Sequence, residues 1–158
     1  MSEEILSHEI FKSGVILDSS VHSVEHWKRV EKYGLMMAEI NGADKEVVSL
    51  FACLHDARRN TDGHDPEHGE RAALLLLELI QARVLALSDK QYDNLKLALR
   101  LHPVTAAESE DITVRTCWDA DRLDLWRSGI EPNPKYMFTE EGKNPAMIEF
   151  SRLLNLES

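Results

Sequence analysis

Apolar residues recur three and four positions apart through most of this chain, and no run of alternating β-branched residues is bounded by turn signals. That one periodicity restricts the fold to packed helices. A first helix is expected over about 21–40, stopping at Asn41-Gly42, and a second over about 44–57. After a polar loop at 58–65, Asp65 followed by Pro66 reads as a cap and first turn of a third helix to about 87. Ser88 with Gln91 makes a capping box for a fourth, ending near His102-Pro103. A fifth covers about 112–127, and Pro132 and Pro134 separate it from a last helix at about 145–154. The 158 residues suit a single all-α domain of about six helices, irregular rather than a regular bundle. Its core spans about 20–127, with a C-terminal extension at 128–158 that covers the core or forms a lid.

The faces of those helices carry an anomaly. At roughly 100° per residue, positions three, four and seven apart share a face. His26 then lies with Val30, Tyr33 and Met37, and His55 with Val48, Phe51 and Ala52. His68 falls with Ala72, Leu75 and Leu79, and His102 with Leu95, Ala98 and Leu99. Asp121 falls with Val114, Cys117, Trp118 and Leu125. A lone inward histidine is commonly a hydrogen-bonded core residue. A buried aspartate needs a partner or a metal. Five helices each offering an inward polar group point to one shared site, and a divalent metal ion is the economical occupant.

Composition narrows the alternatives. Lys and Arg total 18 against 28 Asp and Glu, a net charge of −10, which disfavours duplex nucleic acid as a partner. The uninterrupted apolar run from Ala72 to Leu77 is far short of the ~20 residues that span a bilayer. Ser2, Glu3 and Glu4 lack the order of a signal peptide, so a cytoplasmic protein with no membrane partner is expected. Cys53 and Cys117 give no disulfide framework and read as buried reduced thiols. Trp27, Trp118, Trp126 and Tyr33 could stack a nucleobase but read as core.

The segments VEHWKRV around His26, FACLHDARRN around His55 and Asp56, and WDADRLDLW around Asp121 carry a recognisable order. It is His, then adjacent His-Asp, then a distant Asp. This pattern, over roughly 20–127, resembles the HD-domain superfamily of metal-dependent phosphohydrolases. The resemblance implies an irregular helical fold with the site between helices. It implies His26, His55, Asp56 and Asp121 as metal ligands, with Asp56 in the catalytic set. A mixed nitrogen and oxygen set of four leaves positions open for water and a phosphate oxygen, as in a hydrolytic site. Manganese, magnesium, iron, cobalt and nickel all suit it. His68 and His102 match positions of extra histidines in the superfamily, where they hold a second ion or the substrate phosphate. A single ion is the expectation here. His64 reads as a solvated loop residue, with a substrate contact as the lesser alternative, and His22 as an orienting neighbour of His26.

One departure matters. Several members of the superfamily carry an acid three residues after the His-Asp pair as a proton-transfer group, and here that residue is Arg59. Arg58 and Arg59 place two cations beside the ligand pair, as phosphate-binding and charge-neutralising groups or as surface residues at a helix end. Arg71, three residues after His68, is a further phosphate-binding candidate. Asp119 reads as a surface partner of Arg115 and Arg122. The expected function is cleavage of a phosphate ester or nucleotide, with a small phosphorylated molecule as partner. A two-iron oxygenase, which would need His68 and His102 as ligands, and a non-catalytic nucleotide-binding module are the rival expectations.

Overall fold

The computed structural model describes residues 24–157; His8 and His22 lie outside that range. Among the described residues seven α-helices follow one another: α1 (Val24–Asn41), α2 (Lys45–Leu54), α3 (His68–Gln81), α4 (Asp89–Leu101), α5 (Ile112–Leu123), α6 (Glu140–Lys143) and α7 (Pro145–Glu157). Short 3₁₀ turns occupy Leu125–Ser128 and Pro134–Tyr136, and no strand occurs among the described residues. No helix among them is long and apolar enough to cross a membrane.

The starts of the middle helices follow from single polar side chains. Asp44 accepts the Glu46 and Val47 amides and opens α2. The Ser88–Gln91 capping box opens α4, and Asp111 accepts the Thr113 and Val114 amides at α5. Each such cap stabilises its helix by about 1 kcal/mol. The apolar stripes then pack α1 against α2 and α5, α2 against α4, and α3 against α4. Tyr33, Met37, Phe51, Leu76, Leu99 and Trp118 are fully or almost fully buried, each contributing about 1.5–3 kcal/mol of burial energy. Neither Trp118 nor Tyr33 is available to a base. Cys117 is buried and Cys53 half-buried, and neither is in a disulfide.

Three expectations change. The third helix does not open at Asp65-Pro66 or reach residue 87. It starts at His68, because the Asp65 carboxylate is taken by Arg71 and by the Asn60 amide and so caps nothing. It ends at Gln81, where Arg83 turns left-handed at φ 58°. The fifth helix stops at Leu123, and the chain tightens into the 3₁₀ turn that carries Arg127. Asp119 is not a surface ion pair. It is completely buried and accepts from the Phe138 amide (2.9 Å), the Thr139 amide (2.7 Å) and the Thr139 hydroxyl (2.7 Å). Arg115 and Arg122 donate instead to the carbonyls of Ser109 and Tyr136. Burial pushes the Asp119 carboxyl pKa up against the pull of those donors. The bonds strap residues 138–142 over α5, and Gly142 is required there because a Cβ would collide with Asp119 Oδ2. The C-terminal extension therefore covers the core, with Met137, Met147 and Ile148 buried in it.

A second glycine sets up the site. A Cβ on Gly69 would fall 2.6 Å from the carbonyl oxygens of both Leu99 and Arg100. Only glycine lets the first turn of α3 rest on the last turn of α4. Gly69→Ala is expected to destabilise the fold by about 1–3 kcal/mol, because backbone carbonyls cannot step aside. A denaturation midpoint equal to that of the parent would refute this.

Candidate metal centre

His26 comes from the first turn of α1, His55 and Asp56 from the turn ending α2, His68 from the start of α3, His102 from the end of α4, and Asp121 from the last turn of α5. The structure brings all six together. His26 Nε2 lies 3.0 Å from His55 Nε2, and His68 Nε2 lies 2.8 Å from His102 Nε2. Asp56 sits between the two pairs. Its Oδ2 is 3.4 Å from His26 Nε2 and 3.3 Å from His55 Nε2. Its Oδ1 is 3.4 Å from His68 Nε2 and 3.8 Å from His102 Nε2. Asp121 Oδ1 is 3.3 Å from both His26 Nε2 and His55 Nε2.

The other ring nitrogens decide the tautomers. His55 Nδ1 faces the carbonyls of Phe51 and Ala52, His68 Nδ1 that of Asp65, and His102 Nδ1 that of Leu99. A carbonyl only accepts, so each Nδ1 carries the hydrogen. His26 Nδ1 donates to Asp124 Oδ2 at 2.6 Å. In the neutral rings every Nε2 therefore presents a lone pair, and the lone pairs face each other within each pair. Asp56 Oδ2 and Asp121 Oδ1, both buried, have no hydrogen-bond donor. Repelling lone pairs and orphaned carboxylate oxygens are what a bound cation resolves. Two such groups share Asp56: His26, His55 and Asp56, and Asp56, His68 and His102. Each of the two groups could hold an ion, and the sequence pointed to one.

Without a metal, protons take that role. Burial disfavours the His55 imidazolium, but the Asp56 and Asp121 carboxylates outweigh it and raise the pKa to about 10. Burial likewise opposes charge on His26, and the accepting carboxylates of Asp121, Asp124 and Asp56 raise its pKa. Burial lowers the pKa of His102. A raised histidine pKa stabilises the fold fully below the unfolded value of about 6.5 and ceases to do so as pH rises toward 10. The metal-free protein should therefore lose stability across that window. Metal loading near neutral pH should release roughly one proton for the ion at His26 and His55. Calorimetry in buffers of different ionisation enthalpy measures this, and no release would contradict the assignment.

The sequence overlooked two residues. Asp124 is fully buried and holds His26, Arg29 (Nε 2.8 Å), the Tyr33 hydroxyl (3.0 Å) and Asn155 Nδ2 (2.8 Å). It lies three positions after Asp121, on the same side of the helix, which was its available signal. Arg127 approaches Asp121 Oδ1 at 3.7 Å and donates to the Asp124 carbonyl, while its Nε is buried without a hydrogen-bond partner.

A polar cleft of about 270 Å³ opens onto four of these six residues. Asp56, His68, His102 and Asp121 line it with Arg59, Arg127, His64, Asp65 and Pro103. Arg59 bonds Asp56 Oδ1 at 3.2 Å. Arg58 does not line the cleft; its guanidinium pairs with Glu78 at 2.7 Å. Arg71 is spent on the Arg58 carbonyl and on Asp65. No tryptophan, tyrosine or phenylalanine lines the cleft among the described residues.

These helices and this cluster define an HD-domain-like fold around a buried histidine–aspartate site. The chain is similar over 98% of its length to a solved structure from an uncultured Thermotogales bacterium, described as a predicted HD superfamily hydrolase. The match covers 86% of that chain, with a TM-score of 0.69 and 22% sequence identity. No protein-family model matches the sequence, and no curated protein does.

Proposed function

We propose that the protein is a metal-dependent phosphohydrolase that cleaves a phosphate ester or nucleotide with two divalent ions. The observation that carries this reading is a cluster of four histidines and two aspartates whose Asp56, His68, His102 and Asp121 line one cleft with the cations Arg59 and Arg127. His26, His55, Asp56 and Asp121 would hold one ion, and Asp56, His68 and His102 the other. Four imidazoles favour manganese, iron, cobalt or nickel over magnesium. When bound, such ions polarise a phosphoryl oxygen and lower the pKa of water.

The protein's own groups do the rest. Asp124 keeps the His26 ring turned so that its Nε2 faces His55, Asp56 and Asp121. Arg59 and Arg127 each lie against a ligand carboxylate, and that charge is committed once ions bind. The guanidinium forks are then directed at a tetrahedral oxyanion. They also offset the repulsion between an acidic protein and an anionic substrate.

The test is a screen of metal-stripped and reloaded protein against nucleotides and sugar phosphates, reading inorganic phosphate. Release that requires the metal is expected. Arg127→Ala should raise KM by about 10-fold or more, the loss of one charged hydrogen bond. The pairing of His68 with His102 also meets the ligand requirement of a two-iron oxygenase. Oxygen uptake by iron-loaded protein, with no phosphate release from any ester, would establish that rival. A protein that takes up no metal but binds nucleotides would be a binding module.

A further inference from the structure

We propose that His64 is the general acid that protonates the leaving-group oxygen, an inference that rests on the phosphohydrolase reading above. An alkoxide leaves a phosphate ester slowly unless a proton reaches it. Arg59 stands three residues after the His-Asp pair, and a guanidinium does not give up its proton. The proton must come from another group on the cleft.

Elimination leaves one. Asp56, His68, His102 and Asp121 belong to the ligand set. Arg59 and Arg127 are permanent cations. The Asp65 carboxylate is held by Arg71 and by the Asn60 amide. Of the described residues lining the cleft, His64 alone is a proton-carrying side chain outside the ligand set and these ion pairs.

Its placement is built rather than incidental. The Arg59 guanidinium that touches Asp56 also donates to the carbonyls of Thr61 and Gly63, both at 3.1 Å. The residue before His64 is thus tied to a metal ligand through one side chain. The residue after it is tied as well, since the Asp65 carbonyl accepts the His68 Nδ1 hydrogen at 2.5 Å. His64 is pinned on both flanks, while its own imidazole is exposed and has no hydrogen-bond partner among the described residues. Arg59 holds the loop that supplies the acid.

The step balances. A bond forms from the water oxygen to phosphorus as the bond from phosphorus to the leaving oxygen breaks. The His64 N–H proton passes to that oxygen and gives the free alcohol. The proton lost by the attacking water goes to solvent, which reprotonates the exposed His64. The sum is ester plus water giving alcohol plus inorganic phosphate.

The test compares metal-loaded wild-type and His64→Ala proteins on an alkyl ester, glycerol phosphate, and an aryl ester, p-nitrophenyl phosphate. The aryl oxygen departs as a stabilised phenolate and needs an acid much less. His64→Ala is expected to lower kcat on the alkyl ester by about 10²-fold and far less on the aryl ester, with KM little changed. Free imidazole should restore part of the lost rate. Metal content and Tm should match the wild type, since the side chain is exposed. Equal losses on both esters, no rescue by imidazole, or loss of bound metal would overturn the assignment. A wild-type protein that cleaves neither ester, nor any ester of the wider screen, would instead remove the hydrolase reading, and the role of His64 with it.

Discussion

Replacing Asp56 with asparagine is expected to empty both ion positions and to lower phosphate release by roughly 10³-fold or more. The carboxylate reaches both histidine pairs, Oδ2 toward His26 and His55 and Oδ1 toward His68 and His102. Asparagine has nearly the same shape but no charge, and its amide nitrogen turns a donor toward one pair. Losing an ion's several kcal/mol of transition-state stabilisation corresponds to about that rate factor. His102→Ala, which touches one group alone, should cost a single ion. Elemental analysis distinguishes the outcomes, and two ions retained in Asp56→Asn would disprove the shared-ligand arrangement. Without metal the same change should weaken the fold at neutral pH. Burial disfavours the Asp56 charge, but His55 beside it and the bonds from His102 and His26 hold its pKa well below the usual carboxylate range. A depressed carboxylate pKa stabilises the fold above about 3.9 and stops doing so as pH falls through the folded value. The difference between parent and variant should therefore shrink in acid.

Asp124→Ala is expected to be the most destabilising single change at the site, by about 3–5 kcal/mol. It strands the Arg29 guanidinium, 8% exposed, which donates to Asp124 through Nε (2.8 Å) and a terminal nitrogen (3.0 Å). It also removes the acceptor of the Tyr33 hydroxyl and of the Asn155 amide. Burial opposes the Asp124 charge, but His26 and Arg29 outweigh it and lower the pKa, so the stabilisation is present at neutral pH and fades only in strong acid. The second effect is on metal. A free His26 ring can turn its Nε2 away, and losing such an orienting partner typically weakens metal binding 10–100-fold. Urea denaturation reads the first effect and a metal titration the second. A variant that unfolds at the parental urea concentration would refute the proposed anchor. Asn155 sits in the last turns of α7, so the C-terminal helix reaches the metal centre through the same carboxylate.

Much of this architecture is legible in the order of residues alone. The caps Asp44, Ser88 and Asp111 act through residues two and three positions away, so local sequence determines where α2, α4 and α5 begin. The inward direction of His26, His55, His68, His102 and Asp121 follows from helical period alone, since side-chain direction inside a regular helix is a matter of counting. Where the helices stop, counting stops. Arg58, Arg59 and Arg127 lie in turns, and only the folded chain decides that Arg58 meets Glu78 while Arg59 and Arg127 reach the cleft. Asp119 lies within a helix, but its partners come from Phe138 and Thr139, far along the chain. Whether the two outer histidines meet depends on α3 closing onto α4 at Gly69, which carries His68 Nε2 to within 2.8 Å of His102 Nε2. Period and capping are local and are written in the sequence. Which polar groups share one buried space is decided by contacts between distant segments, because the penalty for burying each charge depends on every neighbour that folding brings to it.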